Sequence, residues 1–335
     1  MIFIYSYLKR RKQGVKINDT ESVFQILLSG VPQGSILGPI LFNIFINDLF
    51  LFINEVELAN FADDNTIYTA KKSVEELIKI LEKESKTAID WFKINDMIVN
   101  PDKFQAMILS SDKKENKYDL NINNSIITSE PSVTLLGIKI DNKLNFAEHV
   151  SGICRKASNQ LNAISRIQNY IGEKEKEIVV NTFVYSNFMY CPLAWHFCPK
   201  SSQNKIEKIH YRCLKMLTND YHSNYKALLE LTGKPTMETR RIRVLATEIF
   251  KTLNNLNPSF MKDIFHFSPY NTHKKHDIFV HSRNTSTYGD KSLRALGPHT
   301  WNSLPENIKS TASLFVFKKF IKNWFGPKCK CKLCL

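Results

Sequence analysis

The sequence predicts an α+β fold, with strands and helices mixed over roughly the first 142 residues and helices dominating thereafter. Three observations predict it. The 335 residues are 43% hydrophobic and 23% charged, with only 11 Gly and 12 Pro, a composition that can bury one large core or two modest ones. In the first part, short apolar runs of strand length are separated by polar turns. Beyond about residue 145, apolar residues recur at helical spacing.

Residues 3 to 30 alternate apolar runs with turns: Val15-Lys16-Ile17, then Asn18-Asp19-Thr20, then Phe24 to Leu28, read as strand, turn and strand. Gly30 to Pro39 is a turn-rich linker, and Pro39 suits the first turn of the following helix. The run Ile36 to Ile53 is expected to form a buried helix. It is barely long enough to span a bilayer, and Pro39, Asn43, Asn47 and Asp48 interrupt it, so a membrane span is rejected. Residues 57 to 70 place apolar segments on both sides of Asp63-Asp64, the pattern of a tight hairpin with carboxylates at its tip. Ser73 and Glu76 form a capping box, and Val74, Leu77, Ile78, Leu81, Ala88, Ile89 and Phe92 then lie on one helical stripe. Single strands are expected at Ala106 to Ser110 and Thr134 to Asp141.

Helical stripes follow at Ala147, Val150, Cys154, Ala157, Leu161, Ile164 and Ile167, then at Ile206, Ile209, Cys213, Leu214 and Leu217, and finally at Ile242, Leu245, Ile249 and Leu253. A looser Asn/His/Ser-rich stretch runs from Asn271 to Asp290. The expected domains are 1–142, mixed; 143–265, helical; and 266–335, a C-terminal extension with a basic, cysteine-containing tail. No internal repeat is visible, and no pattern specifies an oligomeric state.

The net charge of +14 suggests a polyanionic partner, because each phosphate contact releases condensed counterions; a merely basic soluble protein is the alternative. The apolar opening Met1 to Tyr5 precedes the basic run Lys9-Arg10-Arg11-Lys12, the reverse of a secretory signal. With seven cysteines, an odd count, free thiols in a reducing compartment are expected, and so an intracellular protein, of nucleus or cytoplasm, that is not secreted.

Nucleotidyl transfer uses two divalent cations about 3.5–4 Å apart, and Mg²⁺ takes hard oxygen ligands such as carboxylates. Asp63 and Asp64 at a hairpin tip offer such ligands, although turns favour Asp for their own reasons. Their context decides. Gly30-Val31-Pro32-Gln33-Gly34-Ser35, Leu37-Gly38-Pro39, the run ending Asn47-Asp48-Leu49, and Phe61-Ala62-Asp63-Asp64 together resemble the central motifs of reverse transcriptases of non-LTR, LINE-type (jockey-like) retrotransposons. Trp91 to Asn95 and Val99-Asn100-Pro101-Asp102-Lys103 resemble the motif after the catalytic hairpin. Leu135-Leu136-Gly137-Ile138 resembles the primer grip. Tyr288-Gly289, Leu296-Gly297-Pro298 and Trp301-Asn302-Ser303-Leu304-Pro305 look like the C-terminal tail of such elements.

The resemblance implies an incomplete polymerase palm followed by a helical thumb and a C-terminal region. It implies that Asp63 and Asp64 hold Mg²⁺ in a two-metal site, and that Gln33 and Gly34, with Phe61, border the nucleotide. It further implies that Lys103 helps protonate the leaving pyrophosphate and that Leu136-Gly137 steadies the primer. From the residues alone, Lys103 reads equally well as a surface lysine in a turn. The implied partners are an RNA template, a DNA primer and dNTP, with no membrane.

The family carries another catalytic aspartate before the GVPQGS turn, whereas only Asp19 and Glu21 precede Ser35 here, both in or beside a polar turn. Ser6-Tyr7-Leu8, Arg11, Gln13 and Val15 match a stretch that in the family already lies downstream of it. The expectation is therefore a truncated enzyme, without that aspartate and the fingers, that does not polymerise DNA alone. A non-catalytic nucleic-acid-binding remnant is the first alternative; a helical interaction protein is the second. Cys329, Cys331 and Cys334 could hold zinc only with a fourth ligand from elsewhere, so a basic tail is preferred. Cys191, His196, Cys198, His210 and Cys213 are read as core packing.

Overall fold

The computed structural model describes residues 2–110, 117–265, 267, 276–279, 289 and 292–326. The chain forms two compact units, Met1–Ile108 with Asp112–Glu130, and Leu109–Ser111 with Pro131–Leu335. Helices and small antiparallel sheets mix, which fits the α+β expectation. Each sheet among the described residues is a two-stranded hairpin.

The first unit opens with α1 (Ile2–Leu8), although its apolar sequence had read as part of an alternating strand region. The chain leaves that helix through Arg10 at φ +59°. Two nested hairpins follow: β1 (Lys12–Gln13) pairs with β4 (Gln25–Ile26), and β2 (Lys16–Ile17) with β3 (Thr20–Glu21). The predicted strand–turn–strand is thus present in shortened form, with Asn18 at φ +53° in its turn.

The apolar run after Pro39 departs from expectation. It divides at Asn47-Asp48 into α2 (Leu37–Ile46) and α3 (Leu49–Phe52), and of its side chains only Ile46, Leu49 and Ile53 are buried, while Ile36, Ile40, Ile44, Leu51 and Phe52 are exposed. One short apolar stripe, not the whole circumference, meets the core. Among the described residues no helix is long and apolar enough to cross a membrane.

β5 (Glu57–Phe61) and β6 (Asp64–Tyr68) form the predicted hairpin. α4 (Val74–Ile94) starts where Ser73 accepts the backbone N–H of Glu76 at 3.4 Å, as the capping signal requires. Its stripe extends to Trp91, which joins Phe92, Ala88, Ile46, Leu49 and Ile53 in the core, with Leu58 and Ile67 of the hairpin packed against them. Glu84, also buried, accepts the N–H of Asn54 at 3.0 Å.

Residues 106–110 are not a strand. β7 (Asp119–Ile122) and β8 (Ser125–Thr128) form a hairpin that was not foreseen, turning through Asn123 and Asn124 at φ +51° and +65°. This is the backbone of a type I′ turn, which Asn tolerates.

The second unit opens with another hairpin, β9 (Ser132–Leu135) and β10 (Ile138–Asp141), where a single strand had been expected. Leu136 and Gly137, both at positive φ, make the turn that divides it. The Asp141 carboxylate then accepts the N–H groups of Lys143, Asn145 and Phe146, fixing the corner into α5 (Ala147–Ile167).

α6 (Glu173–Val179), a π-helical turn over Val180–Tyr185, and α7 (Ser186–Met189) follow, then α8 (Lys200–Thr218), α9 (Tyr225–Thr232) and α10 (Met237–Leu253). α5 and α8 pack on one core around Val150, Ala157, Leu161, Ile206 and Cys213, as their stripes predict. α11 (Leu293–Asn302), α12 (Glu306–Lys309) and α13 (Leu314–Ile321) close a second core against α10, with Phe250 stacked on Phe317.

Candidate functional site

The segment from Gly30 to Pro39 is built around Ser35. Its N–H donates to Pro32 O at 3.4 Å, and Gly34 has φ +78°, so Gln33 and Gly34 are the central residues of a turn whose second position demands positive φ. Ser35 Oγ donates to Pro32 O, and accepts from Gly38 N at 3.0 Å and from Tyr7 Oη at 2.5 Å. Arg11 closes the other side by donating to the carbonyls of Leu8, Ser29 and Gly30. A Cβ on Gly38 would stand 3.0 Å from both Pro32 O and Ser35 Oγ, so a larger residue would press on both. Gln33 is exposed at the crown of the turn. Tyr7 and Arg11 had been noted only as part of a motif; their hydrogen bonds show how that motif supports the turn.

Ala62 and Asp63 form the turn of the carboxylate hairpin, Ala62 at φ +52°, and Asp64 opens the return strand opposite Phe61. Asn65 Nδ2 donates to Asp63 O at 3.1 Å. Phe61, Asp63 and Asp64 are all exposed. Leu58 and Ile67, opposite one another in the hairpin, pack into the core shared with α2. The helix launched by the Ser35 turn and the strands bearing the carboxylates therefore rest on one set of side chains.

Lys103 is in an exposed single-turn helix over Pro101–Lys103 capped by Asn100, whose Oδ1 accepts Asp102 N at 3.0 Å. No ion pair joins it to Asp63 or Asp64 among the described residues. Leu136 and Gly137 belong to the other unit. There Tyr190 Oη donates to Leu136 O at 2.7 Å, a clamp that nothing in the sequence pattern announces.

As donors for a metal, Asp63 and Asp64 have suitable chemistry, being hard, exposed carboxylates on adjacent residues. Among the described residues, no group of three or more His, Cys, Asp or Glu side chains gathers to hold an ion. Asp63 and Asp64 stand as two adjacent carboxylates, without such a third group beside them among the described residues.

The His/Cys cluster of the helical unit is largely structural. Cys198, His210 and Cys213 are buried, and burial pushes Cys154 and Cys213 up to about 12, leaving thiols that do not ionise at neutral pH. Cys191 differs from expectation: it is exposed, at φ +41°, because it begins the turn that leads to Trp195. His210 Nδ1 lies 2.8 Å from Tyr225 Oη, which donates to Glu207 at 2.6 Å. Glu207 in turn accepts the first N–H groups of α10, from Met237 and Glu238. Arg241, fully buried, lies over the Trp195 ring. Cys329, Cys331, Cys334, Tyr288 and most of the Asn271–Asp290 stretch lie outside the described residues.

A hairpin carrying paired carboxylates is thus cored together with a helix that follows a Gly-Pro-rich turn. Residues 2–140 match the reverse transcriptase (RNA-dependent DNA polymerase) family. The curated proteins it is similar to are RNA-directed DNA polymerases of transposons and mobile elements. It is 26% identical over 230 residues to the probable RNA-directed DNA polymerase from transposon BS of Drosophila melanogaster, covering 64% of this chain and 25% of that one. It is 23% identical over 227 residues to the RNA-directed DNA polymerase from mobile element jockey of the same species, covering 65% and 25%. Against the probable RNA-directed DNA polymerase from transposon X-element it is 20% identical over 220 residues, covering 64% and 24%. The chain thus spans about a quarter of the length of these relatives. No solved structure matches it.

Proposed function

We propose that this chain is the palm and thumb portion of an RNA-directed DNA polymerase, contributing to RNA-templated DNA synthesis as part of a longer assembly and inactive alone. The observation that carries the proposal is the exposed Asp63-Asp64 pair at the end of the β5–β6 hairpin, resting on the same core as the helix behind the Gln33-Gly34 turn. The proposed domains are a partial palm over 1–142, a thumb-like bundle over 143–265 and a C-terminal extension over 266–335. The setting is intracellular, in nucleus or cytoplasm, wherever template RNA and target DNA meet.

In this reading Asp63 and Asp64 supply carboxylate ligands to Mg²⁺, which when bound neutralises phosphate charge and activates the attacking hydroxyl. Gln33 and Gly34 border the incoming dNTP. The exposed crown of their turn, held rigid by Ser35, Tyr7 and Arg11, suits a backbone surface that a nucleotide must approach closely. Phe61, exposed beside Asp64, offers an apolar face to a sugar or base. Lys103 is a mobile-reach proton donor to pyrophosphate, and Leu136-Gly137 steadies a DNA primer on its RNA template. Inactivity alone is supported by the two-carboxylate donor set: with no third carboxylate beside it among the described residues, a cation there is weakly held and reacting atoms are misplaced, which costs orders of magnitude in rate.

The test is primer extension on an RNA template with Mg²⁺. The chain is assayed alone and with a polypeptide made from the part of a matching relative that precedes its matched region. No extension alone, with extension on addition that disappears for Asp63→Asn, supports the reading. Extension that survives Asp63→Asn overturns the catalytic assignment. Absence of rescue favours the second reading, a non-catalytic nucleic-acid-binding remnant; the same two-carboxylate donor set motivates it.

A further inference from the structure

α5 and α8 lie side by side and run in the same direction. Lys205 Nζ donates to Ser151 Oγ and Arg212 Nη1 to Ser158 Oγ, each pair 54 residues apart in sequence, and Tyr221 Oη reaches Gln168 53 residues back. Arg212 Nη2 also donates to Asn162 Oδ1 at 2.7 Å. Lys205, Lys208, Arg212 and Lys215 recur at three- and four-residue intervals on α8, so they share its outer stripe. Arg155 and Arg166 fall on the α5 stripe that carries Ser151, Ser158 and Asn162.

No carboxylate opposes these cations on either stripe. The sole acidic residue of α8 is Glu207, which is buried beneath it, and that of α5 is Glu148, in its first turn and paired with Lys139. The partners the seam does have are neutral: hydroxyls, an amide and, for Lys215, the ring of Tyr211 4.4 Å below its ammonium. At the far end of the seam, where both helices terminate, Tyr170 is 88% exposed and Tyr221 50% exposed. The Tyr170 ring buries almost nothing for the fold, and half of Tyr221 faces solvent.

We infer that this seam binds a single strand of nucleic acid, its phosphates along Arg155, Arg166, Lys205, Lys208, Arg212 and Lys215 and its bases stacked on Tyr170 and Tyr221. Ten residues from Lys205 to Lys215 span ~15 Å of helix, enough for two or three consecutive phosphates of an extended strand. A cationic track ending in exposed aromatic rings is the arrangement that holds a single strand without reading its sequence. An acidic protein surface or an anionic membrane would use the charges but leave the rings idle. The inference rests on the reading of the chain as a nucleic-acid enzyme, but its readout is binding, which needs neither Asp63 nor Asp64.

The experiment uses the full chain and a labelled RNA of about 15 nucleotides, titrated from roughly 50 to 300 mM KCl without Mg²⁺. The wild-type affinity falls steeply with salt. The variant K205Q/K208Q/K215Q spares Arg212, which makes two of the three bonds to α5, and is expected to lower the slope of log K against log salt by about 2, near 0.7 per lost contact. Y170A/Y221A weakens binding by about tenfold or more and leaves the slope unchanged. Binding is read without Mg²⁺ or dNTP and the polymerase assignment by primer extension, so failure of one and failure of the other are separate results. An unchanged slope in the lysine variant, or equal displacement of the RNA by polyglutamate, overturns the inference. So does tighter binding of a duplex than of the single strand. Circular dichroism of each variant confirms the fold, and the single variant Lys208→Gln, whose side chain is exposed, serves if the triple one misfolds.

Discussion

Single side chains in this protein are set by backbone geometry as often as by contact. Gly34 has open space around the position of a missing Cβ yet sits at φ +78°, so Gly34→Ala costs only conformational strain, about 1 kcal/mol, read as a shift in the urea midpoint. A loss several times larger would mean that the turn carries contacts beyond its own hydrogen bonds. His196 gives a pH-dependent case. Burial, helped by the nearby Arg241 charge, lowers it from 6.5 to about 4, and its Nδ1 is buried without a partner. The folded state therefore binds the proton more weakly than the unfolded chain. Its contribution is fully present above pH 6.5 and is lost as pH falls toward 4, by up to about 3 kcal/mol. His196→Gln is expected to flatten the urea midpoint between pH 6.5 and 4.5 relative to wild type; identical profiles would remove His196 from the acid response.

At the scale of elements, turn chemistry is the most editable feature. Asn124 occupies a type I′ position at φ +65°, where Gly is still better suited, so Asn124→Gly is expected to stabilise the β7–β8 hairpin by about 0.5 kcal/mol, measured by hydrogen exchange at Leu120 and Ile127. Slower exchange confirms the turn, and faster exchange refutes it. That hairpin was legible in principle, since Asn123-Asn124 between apolar residues is a turn signal. The β5–β6 hairpin and the capped start of α4 were read directly, because short-range chemistry fixes them: adjacent turn residues in one case and a Ser side chain on its own helix in the other. The α5, α8 and α10 stripes were equally plain. Less legible was what long-range packing decides. Ile36 to Ile53 contains enough apolar residues for an all-round buried helix, but of its side chains only Ile46, Leu49 and Ile53 are buried. Thr134 to Asp141 read as one strand because Leu136 disguises a turn that Gly137 makes possible. For the candidate site, the carboxylate hairpin and the Gln33-Gly34 turn were visible as motifs, whereas Tyr7, Arg11 and Tyr190 gain their parts only from hydrogen bonds across many residues.

For the whole molecule, each compact unit carries its own core, and these differ in size. Six buried residues, Trp91 among them, centre the core of the first unit. With so few, Trp91→Ala is expected to cost about 3–5 kcal/mol and to abolish the cooperative unfolding of β5–β6, followed by exchange protection at Leu58 and Ile67. Retained protection there would show that the hairpin draws its stability from elsewhere. The helical unit is larger, and the direction of its helices governs the order in which it can be built. Because α5 and α8 are parallel neighbours 54 residues apart, no short turn can join them, and the chain must pass back along the whole of α6, the π-turn and α7 before they meet. That closure is paid in entropy before any of the shared core is gained. During synthesis Val180, Val184 and Phe188 are the first to reach the apolar stripe of α5, and the part that meets Ile206 and Cys213 waits uncovered until α8 has been made, a surface that a chaperone would shield.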